Sequence, residues 1–217
     1  ELDKQKKQKL ISTIKNKERK YRREIQNKIE AERSVARKID KIIRDEIAKA
    51  NRIANAKRKE KFKDIKKNEF ALSPEAKALA AKFELNKGLL PWPVREGLVI
   101  RRFGKQPHPT FPGITINGTG LHIVTSNGSN AEAVYNGEVL NILPGSGGTK
   151  NVLIRHGNYI TSYNNLENSF VEKGDKIVTG QKIGKIFTDK ISKKTKLIFV
   201  LFKNTTRLNP ASWMLKR

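Results

Sequence analysis

The sequence predicts an α + β architecture: a long N-terminal helix built as one strand of a coiled coil, a short second helix, and an all-β domain. Three observations predict it. No Gly or Pro occurs from Glu1 to Glu69, which removes the two strongest helix breakers from that stretch. Isoleucines recur there at helical spacing. From residue 89 onward the chain changes character, and short runs rich in Val, Ile, Tyr and Thr are bracketed by turn signals.

The long helix is expected over 1–70. Ile14, Tyr21, Val35 and Ile42 share one heptad position, and Ile25, Ile39 and Ile53 fall four residues further on. Lys28 and Glu32 interrupt that seam. A companion stripe runs through Ile29, Ala36, Ile43 and Ala50. A single helix cannot bury such a stripe alone, so a partner helix is expected, from an upstream segment or another chain. Acidic residues are interleaved with the basic ones, which reads as a solvated helix with i,i+4 pairs rather than a nucleic-acid-binding block.

Residues 71–88 form a linker and a short helix. Ser73 is a good N-cap, Pro74 suits the first turn and Glu75 suits the positive helix end. The helix should run over about 74–85 and stop near Asn86–Gly88. The prolines of "LLPWPV" mark entry into a different domain. In that domain, 89–217, strands are expected at 98–103, 121–125, 131–134, 137–142, 151–155, 159–163, 176–178 and 196–203.

Composition narrows the chemistry. The net charge of +25 is spread along the chain, with 25 basic and 12 acidic residues in 1–70 and 21 and 9 in the rest. It points to an anionic partner without choosing one. No nucleic-acid-binding signature accompanies it. The absence of Cys excludes disulfides and thiolate metal sites. No apolar run approaches the roughly 20 residues of a membrane span. The chain opens on Glu1 rather than Met and is read as a processed fragment, so the lack of a signal peptide says nothing about compartment. No "GxSxG" or other nucleophile context occurs. "PGSGG", Pro144 to Gly148, lacks the Lys-Ser/Thr of a phosphate loop and reads as a hairpin end.

Five segments carry a family resemblance. "PWPVREGLVIRRFG", "GLHIVTSNGSNAEAVYNGEV", "VLIRHGNYITSYNNL", "VEKGDKIVTGQKIGKI" and "KLIFVLFKNTTRLNPASWM" resemble, in order, the segments of LytM-type (lysostaphin-like) metallopeptidase domains. The arrangement of a long helical region, a short helix, "LPWPV" and this domain resembles the EnvC-like murein hydrolase activators. In the active family a His, an Asp four residues later and the second His of an "HLH" strand hold zinc. The first His of that strand and the His of "YxHL" act in catalysis. Those positions fall here on Gly118, His122, Ile198, Lys196 and Asn165, and the Glu after "HLH" falls on Val200. No ligand position keeps the family residue.

Zinc in a hydrolase needs about three converging protein donors, and the chain has three His in all. His108 stands in "PHP" and is expected to be exposed. His156 occupies a position that resembles a structural His. His122 is read as a remnant lining a groove without a metal. No catalytic residue, metal or cofactor is therefore expected, and the chain is expected not to be an enzyme. A fold that loses its chemistry can keep its groove. Gly118, His122, Tyr163, Asn165, Lys196, Ile198 and Val200 are expected to line it, with Phe199 added depending on register.

The resemblance implies a non-catalytic activator of peptidoglycan (N-acetylmuramoyl-L-alanine) amidases in bacterial cell division and daughter-cell separation. It implies a cell-wall amidase in the groove, an FtsEX-type ABC membrane complex on the helix, and an extracytoplasmic, periplasmic location at the inner membrane. Peptidoglycan is a further partner. The alternatives are a wall-binding scaffold module and a zinc endopeptidase with an unusual ligand set. The segment 71–88, or the end of the helix before it, is a candidate restraint that folds back over the groove.

Overall fold

The computed structural model describes residues 1–57, 68–108 and 111–216. The end of the predicted long helix, at 58–67, lies outside them. Helix α1 spans Leu2–Lys57 without a break, about 84 Å at ~1.5 Å per residue. Helix α2 spans Pro74–Leu85 and starts as a well-capped helix should: the Ser73 hydroxyl accepts from the Ala76 amide at 3.2 Å.

Twelve strands follow among the described residues. They are β1 (Leu98–Arg101), β2 (Gly104–Pro107), β3 (Thr115–Gly118), β4 (Leu121–Thr125), β5 (Asn130–Glu132) and β6 (Gly137–Pro144), then β7 (Lys150–His156), β8 (Tyr159–Leu166), β9 (Lys176–Ile177), β10 (Lys182–Lys185), β11 (Thr195–Lys203) and β12 (Thr206–Leu208). One antiparallel sheet runs in the order β1-β4-β11-β8-β7-β6-β9, with β12 paired to the end of β11. Two ribbons, β5–β10 and β2–β3, flank it.

Strand alternation sends successive side chains to opposite faces, and the two faces of this sheet serve different purposes. Leu121 and Ile123 of β4, Val152 and Ile154 of β7, Tyr159 and Tyr163 of β8, and Leu197, Phe199 and Leu201 of β11 enter the main core. That core is completed by the β5–β10 ribbon and by Ala80 and Phe83 of α2. Residues one step along those strands form a second cluster: Leu153, Ile160, Val200 and Phe202, closed from above by Ile39, Ile43 and Ile47 of α1. Ile43 and Ile47 are fully buried.

The apolar stripe of α1 therefore meets a partner, and the partner of its C-terminal half is the sheet of the same chain rather than a second helix. The N-terminal part of the stripe differs. Leu10, Ile11, Ile14 and Tyr21 are exposed.

Three acidic residues flank the buried isoleucines, and each finds a cation or donor on the sheet. Glu32 pairs with Arg101 at 2.6 Å and Lys196 at 3.6 Å. Asp40 pairs with Arg207 at 2.7 Å. Glu46 pairs with Lys173 at 2.6 Å and accepts from the Asn141 amide at 3.2 Å. Beyond them Asn51 holds the returning chain, donating to the Glu69 carbonyl at 2.8 Å and accepting from the Ala71 amide at 2.7 Å. Phe70, between those two residues, is buried in the second cluster, with the Arg155 guanidinium 3.9 Å above its ring.

Candidate functional site

The groove lies on the sheet face beneath α1. His122 projects from β4, opposite Ile198 of β11 on one side and Arg101 of β1 on the other. Lys196, Ile198 and Val200 follow at alternate positions of β11, so strand geometry alone places them on one face. Asn165 ends the row on β8. Its backbone takes a positive φ of 72°, a conformation Asn tolerates better than most residues. Its side-chain amide donates to the Lys196 carbonyl at 2.6 Å, which ties the ends of β8 and β11 together.

Five of the seven predicted groove residues thus share the face: His122, Asn165, Lys196, Ile198 and Val200. Tyr163 does not. It precedes Asn164 on β8, so the two-residue period turns it into the main core. There its hydroxyl accepts from the Val134 amide at 2.9 Å. Phe199 is turned inward for the same reason. Gly118 ends the β2–β3 ribbon and is packed against backbone: a Cβ there would meet the Arg102 carbonyl oxygen at 2.0 Å. Thr119, the next residue, lines the groove instead.

The groove also holds residues that sequence reasoning did not select. Arg101, Asn164, Thr149 and Arg207 line or border it. The signal for Arg101, the partner of Glu32, was available in α1. Glu32 and Glu46 replace apolar residues in the stripe Ile25–Ile39–Ile53, and a carboxylate in an apolar seam calls for a cation opposite.

The environment of His122 is strongly positive. Burial, then the charges of Arg101 and Lys196, push its pKa from 6.5 down to about 2. Its Nδ1 is buried and has no hydrogen-bond partner among the described residues. Burial also lowers Lys196, with Glu32 opposing the shift. Burial raises Asp40, opposed by Arg207.

This donor set does not fit a zinc ion. A single neutral imidazole stands between two cations, beside an isoleucine, and a divalent ion there would meet repulsion where it needs anionic or lone-pair donors. Among the described residues no three His, Cys, Asp or Glu side chains converge in a way that could hold a metal. The other histidines lie elsewhere. His156 is fully buried, with Nδ1 2.6 Å from the Asn136 carbonyl and Nε2 2.9 Å from the Thr161 hydroxyl. His108 sits in the β2–β3 connection, its Nδ1 accepting from the Phe111 amide at 3.2 Å.

Two buried histidines make stability acid-sensitive. Burial lowers His156 to about 4, and His122 lies lower still. Both depressed values mean that the unfolded chain takes up protons first as pH falls. Their contribution is intact above pH 6.5 and is lost progressively toward pH 4 for His156 and pH 2 for His122. At about one unit below 6.5 each should cost ~1.4 kcal/mol. The unfolding free energy at pH 5.5, followed by the fluorescence of Trp92 and Trp213, should be about 2–3 kcal/mol below that at pH 7.5. His122→Leu should remove about half of that loss, because it deletes one of the two groups. An unchanged acid profile in that variant would show that His122 already protonates in the folded chain.

Comparison with known proteins agrees with the geometry of the sheet. Residues 117–210 match the model of Peptidase family M23. No curated protein matches the chain. Among solved structures the chain is similar to Helicobacter pylori Csd3, with 22% identity and a TM-score of 0.50 over 60% of this chain and 36% of that one. It is similar to a zinc-containing peptidase from Vibrio cholerae, with 21% identity and a TM-score of 0.50 over 60% of this chain and 41% of that one. The chain thus spans well under half the length of these two relatives. The likeness shows the fold of the all-β domain, which is of the LytM-type peptidase class, and the structure places the long and the short helix ahead of it.

Proposed function

We propose that this chain is a non-catalytic activator of a cell-wall amidase, that the groove on its LytM-type sheet is the surface that engages the amidase, and that α1 restrains it. One observation carries this reading. At the position where a metallopeptidase would gather metal ligands, the sheet presents His122 between Arg101 and Lys196, and the charge is answered by Glu32 of a helix. The site is organised around a protein ligand.

The restraint follows from topology. α1 buries Ile39, Ile43 and Ile47 on the groove face, so no partner can reach that face while the helix is seated. The sequence named 71–88 or the end of the long helix as the cover; the residues seated over the groove face are those of α1 from Lys28 to Ile47, and α2 packs into the main core. A membrane complex of the FtsEX type, acting on the part of α1 that extends beyond the sheet, would release it. On this reading the protein works outside the cytoplasm, where peptidoglycan is.

The test combines an amidase from the same organism and dye-labelled peptidoglycan with the purified native chain or with the Ile43→Asp chain, whose helix is unseated. Neither chain should release label alone, and the Ile43→Asp chain plus amidase should release at least threefold more than amidase alone. Release by the native chain alone, with stoichiometric zinc bound, would establish a peptidase instead. No stimulation of any amidase by the unseated chain, with retention on peptidoglycan, would establish a wall-binding scaffold.

A further inference from the structure

α1 and the sheet do not close on each other along their whole contact. Around Ile43 and Ile47 the two surfaces pack together. Nearer the start of the helix they enclose a cavity of about 550 Å³, within the size range of sites for small organic molecules. Its roof is Ala31, Val35, Ala36 and Ile39 of α1. Its floor crosses the sheet in one row. Arg101 of β1 stands opposite His122 of β4, His122 opposite Ile198 of β11, Ile198 opposite Asn164 of β8, and Asn164 opposite Asn151 of β7.

Two side chains of that row carry polar atoms without a partner. His122 is 3% exposed and Asn151 2%, and both line the cavity. Neither His122 Nδ1 nor Asn151 Nδ2 has a hydrogen-bond partner among the described residues. A buried polar atom left unsatisfied is costly, so a ligand that answers both atoms is favoured. His122 and Asn151 lie three interstrand spacings apart, roughly 14 Å. Between them the floor is apolar at Ile198, and the roof is apolar throughout. The charge of the lining is unequal: Lys28, Lys194, Lys196 and Arg207 stand against Glu32 and Asp189. Arg101 adds a cation beside His122. An anion is therefore preferred to a cation of the same shape.

We propose that this cavity is a binding site for a linear amphiphilic acid, with its carboxylate beside His122, Arg101 and Lys196, its chain between Ile198 and the α1 roof, and a hydrogen-bond acceptor at its far end on Asn151. His122 donates to the carboxylate in the tautomer that carries its hydrogen on Nδ1. Glu32 shares the two cations, which leaves one positive charge for the ligand. The site belongs to neither the helix nor the sheet alone. A ligand that touches both walls binds only the seated state and stabilises it by mass action. It holds α1 on the sheet. The inference goes beyond the activator reading and needs no amidase.

The experiment titrates the native chain with 10-hydroxydecanoate by calorimetry, beside decanoate, which lacks the far acceptor, and decylammonium, which reverses the charge. The hydroxy acid should bind one to one, at least threefold more tightly than decanoate and at least tenfold more tightly than decylammonium. A chain carrying Ala31→Leu and Ala36→Leu, whose cavity is filled from the roof, should bind it at least tenfold more weakly with an unchanged circular dichroism spectrum. The Ile43→Asp chain, which lacks a seated roof, should lose at least as much. On the native chain the ligand should slow hydrogen exchange of residues 28–39 at least threefold, a readout that needs no variant to fold. Equal binding of the hydroxy acid and decylammonium, equal binding of the hydroxy acid and decanoate, equal binding to the native and Ile43→Asp chains, unchanged exchange, or no binding at all overturns the proposal. None of these results bears on amidase activation, which the peptidoglycan assay reads separately.

Discussion

A chain carrying Ile43→Asp is expected to stimulate its amidase at least tenfold more than the native chain does. Ile43 is fully buried between α1 and the sheet, against a cluster that includes Leu153, Ile160, Val200 and Phe202. Truncating a buried Ile typically costs about 2–5 kcal/mol, and a carboxylate left there without a partner adds several more. A closed state weakened by even about 3 kcal/mol loses more than a hundredfold in its population relative to the open one. The sheet needs α1 only to cover one face, since its main core is built from the other. The loss should therefore appear as release of the helix rather than unfolding. Hydrogen exchange of residues 28–50 should accelerate while that of β7, β8 and β11 stays protected. Ile14→Asp is the control, because Ile14 is 55% exposed and its replacement should change neither readout. Released helix with unchanged stimulation would show that α1 is not what restrains the activator.

The parts of the fold that could be read in the sequence were those where one physical signal dominates. β4, β6, β7 and β8 are runs of β-branched and aromatic residues that begin at glycine turns, and β11 is the longest apolar run of the chain. α2 carries its own cap, Ser73, and its own stop. β2 ("GKQP"), β3 ("TING"), β10 ("KIGK") and β12 ("TRL") were not legible. They are too short to show alternation, and their pairing is set by neighbours distant in sequence. The groove was half legible for a related reason. Motif positions identify which residues are near it, but only register decides which face each one takes. A single residue's step separates Tyr163 in the core from Asn164 on the groove face. The largest surprise was the partner of the isoleucine stripe. Periodicity shows that a helix has an apolar side and is silent on whether a helix or a sheet covers it. Glu32 and Glu46, fourteen residues apart in that stripe, carried the missing information, because the core of a coiled coil favours apolar residues at those positions and here each carboxylate meets a cation of the sheet.

Phe83→Ala should destabilise the β domain by about 3–5 kcal/mol, the usual cost of removing a fully buried Phe. Phe83 of α2 is fully buried. Its ring stacks on His156 at 4.8 Å and Tyr159 at 4.9 Å, and it lies 5.4 Å from Tyr135 and 5.3 Å from Trp213. The helix sits directly on the turn between β7 and β8, where a Cβ on Gly157 would come within 2.4 Å of the Ala76 carbonyl oxygen. Urea unfolding followed by Trp213 fluorescence should show the loss. Leu85→Ala, at a side chain 80% exposed, should change stability by less than about 0.5 kcal/mol. A loss below about 1 kcal/mol in Phe83→Ala would mean that α2 is an appendage. The distinction decides how the restraint must be dissected. If Phe83 is a core residue of the β domain, a chain trimmed to begin at residue 86 loses part of its hydrophobic core and fails to activate for reasons unrelated to the groove. A chain beginning at residue 68 keeps Phe70, Phe83 and the capped α2 while removing all of α1. That chain should be folded, should stimulate the amidase as strongly as Ile43→Asp, and should need no release signal.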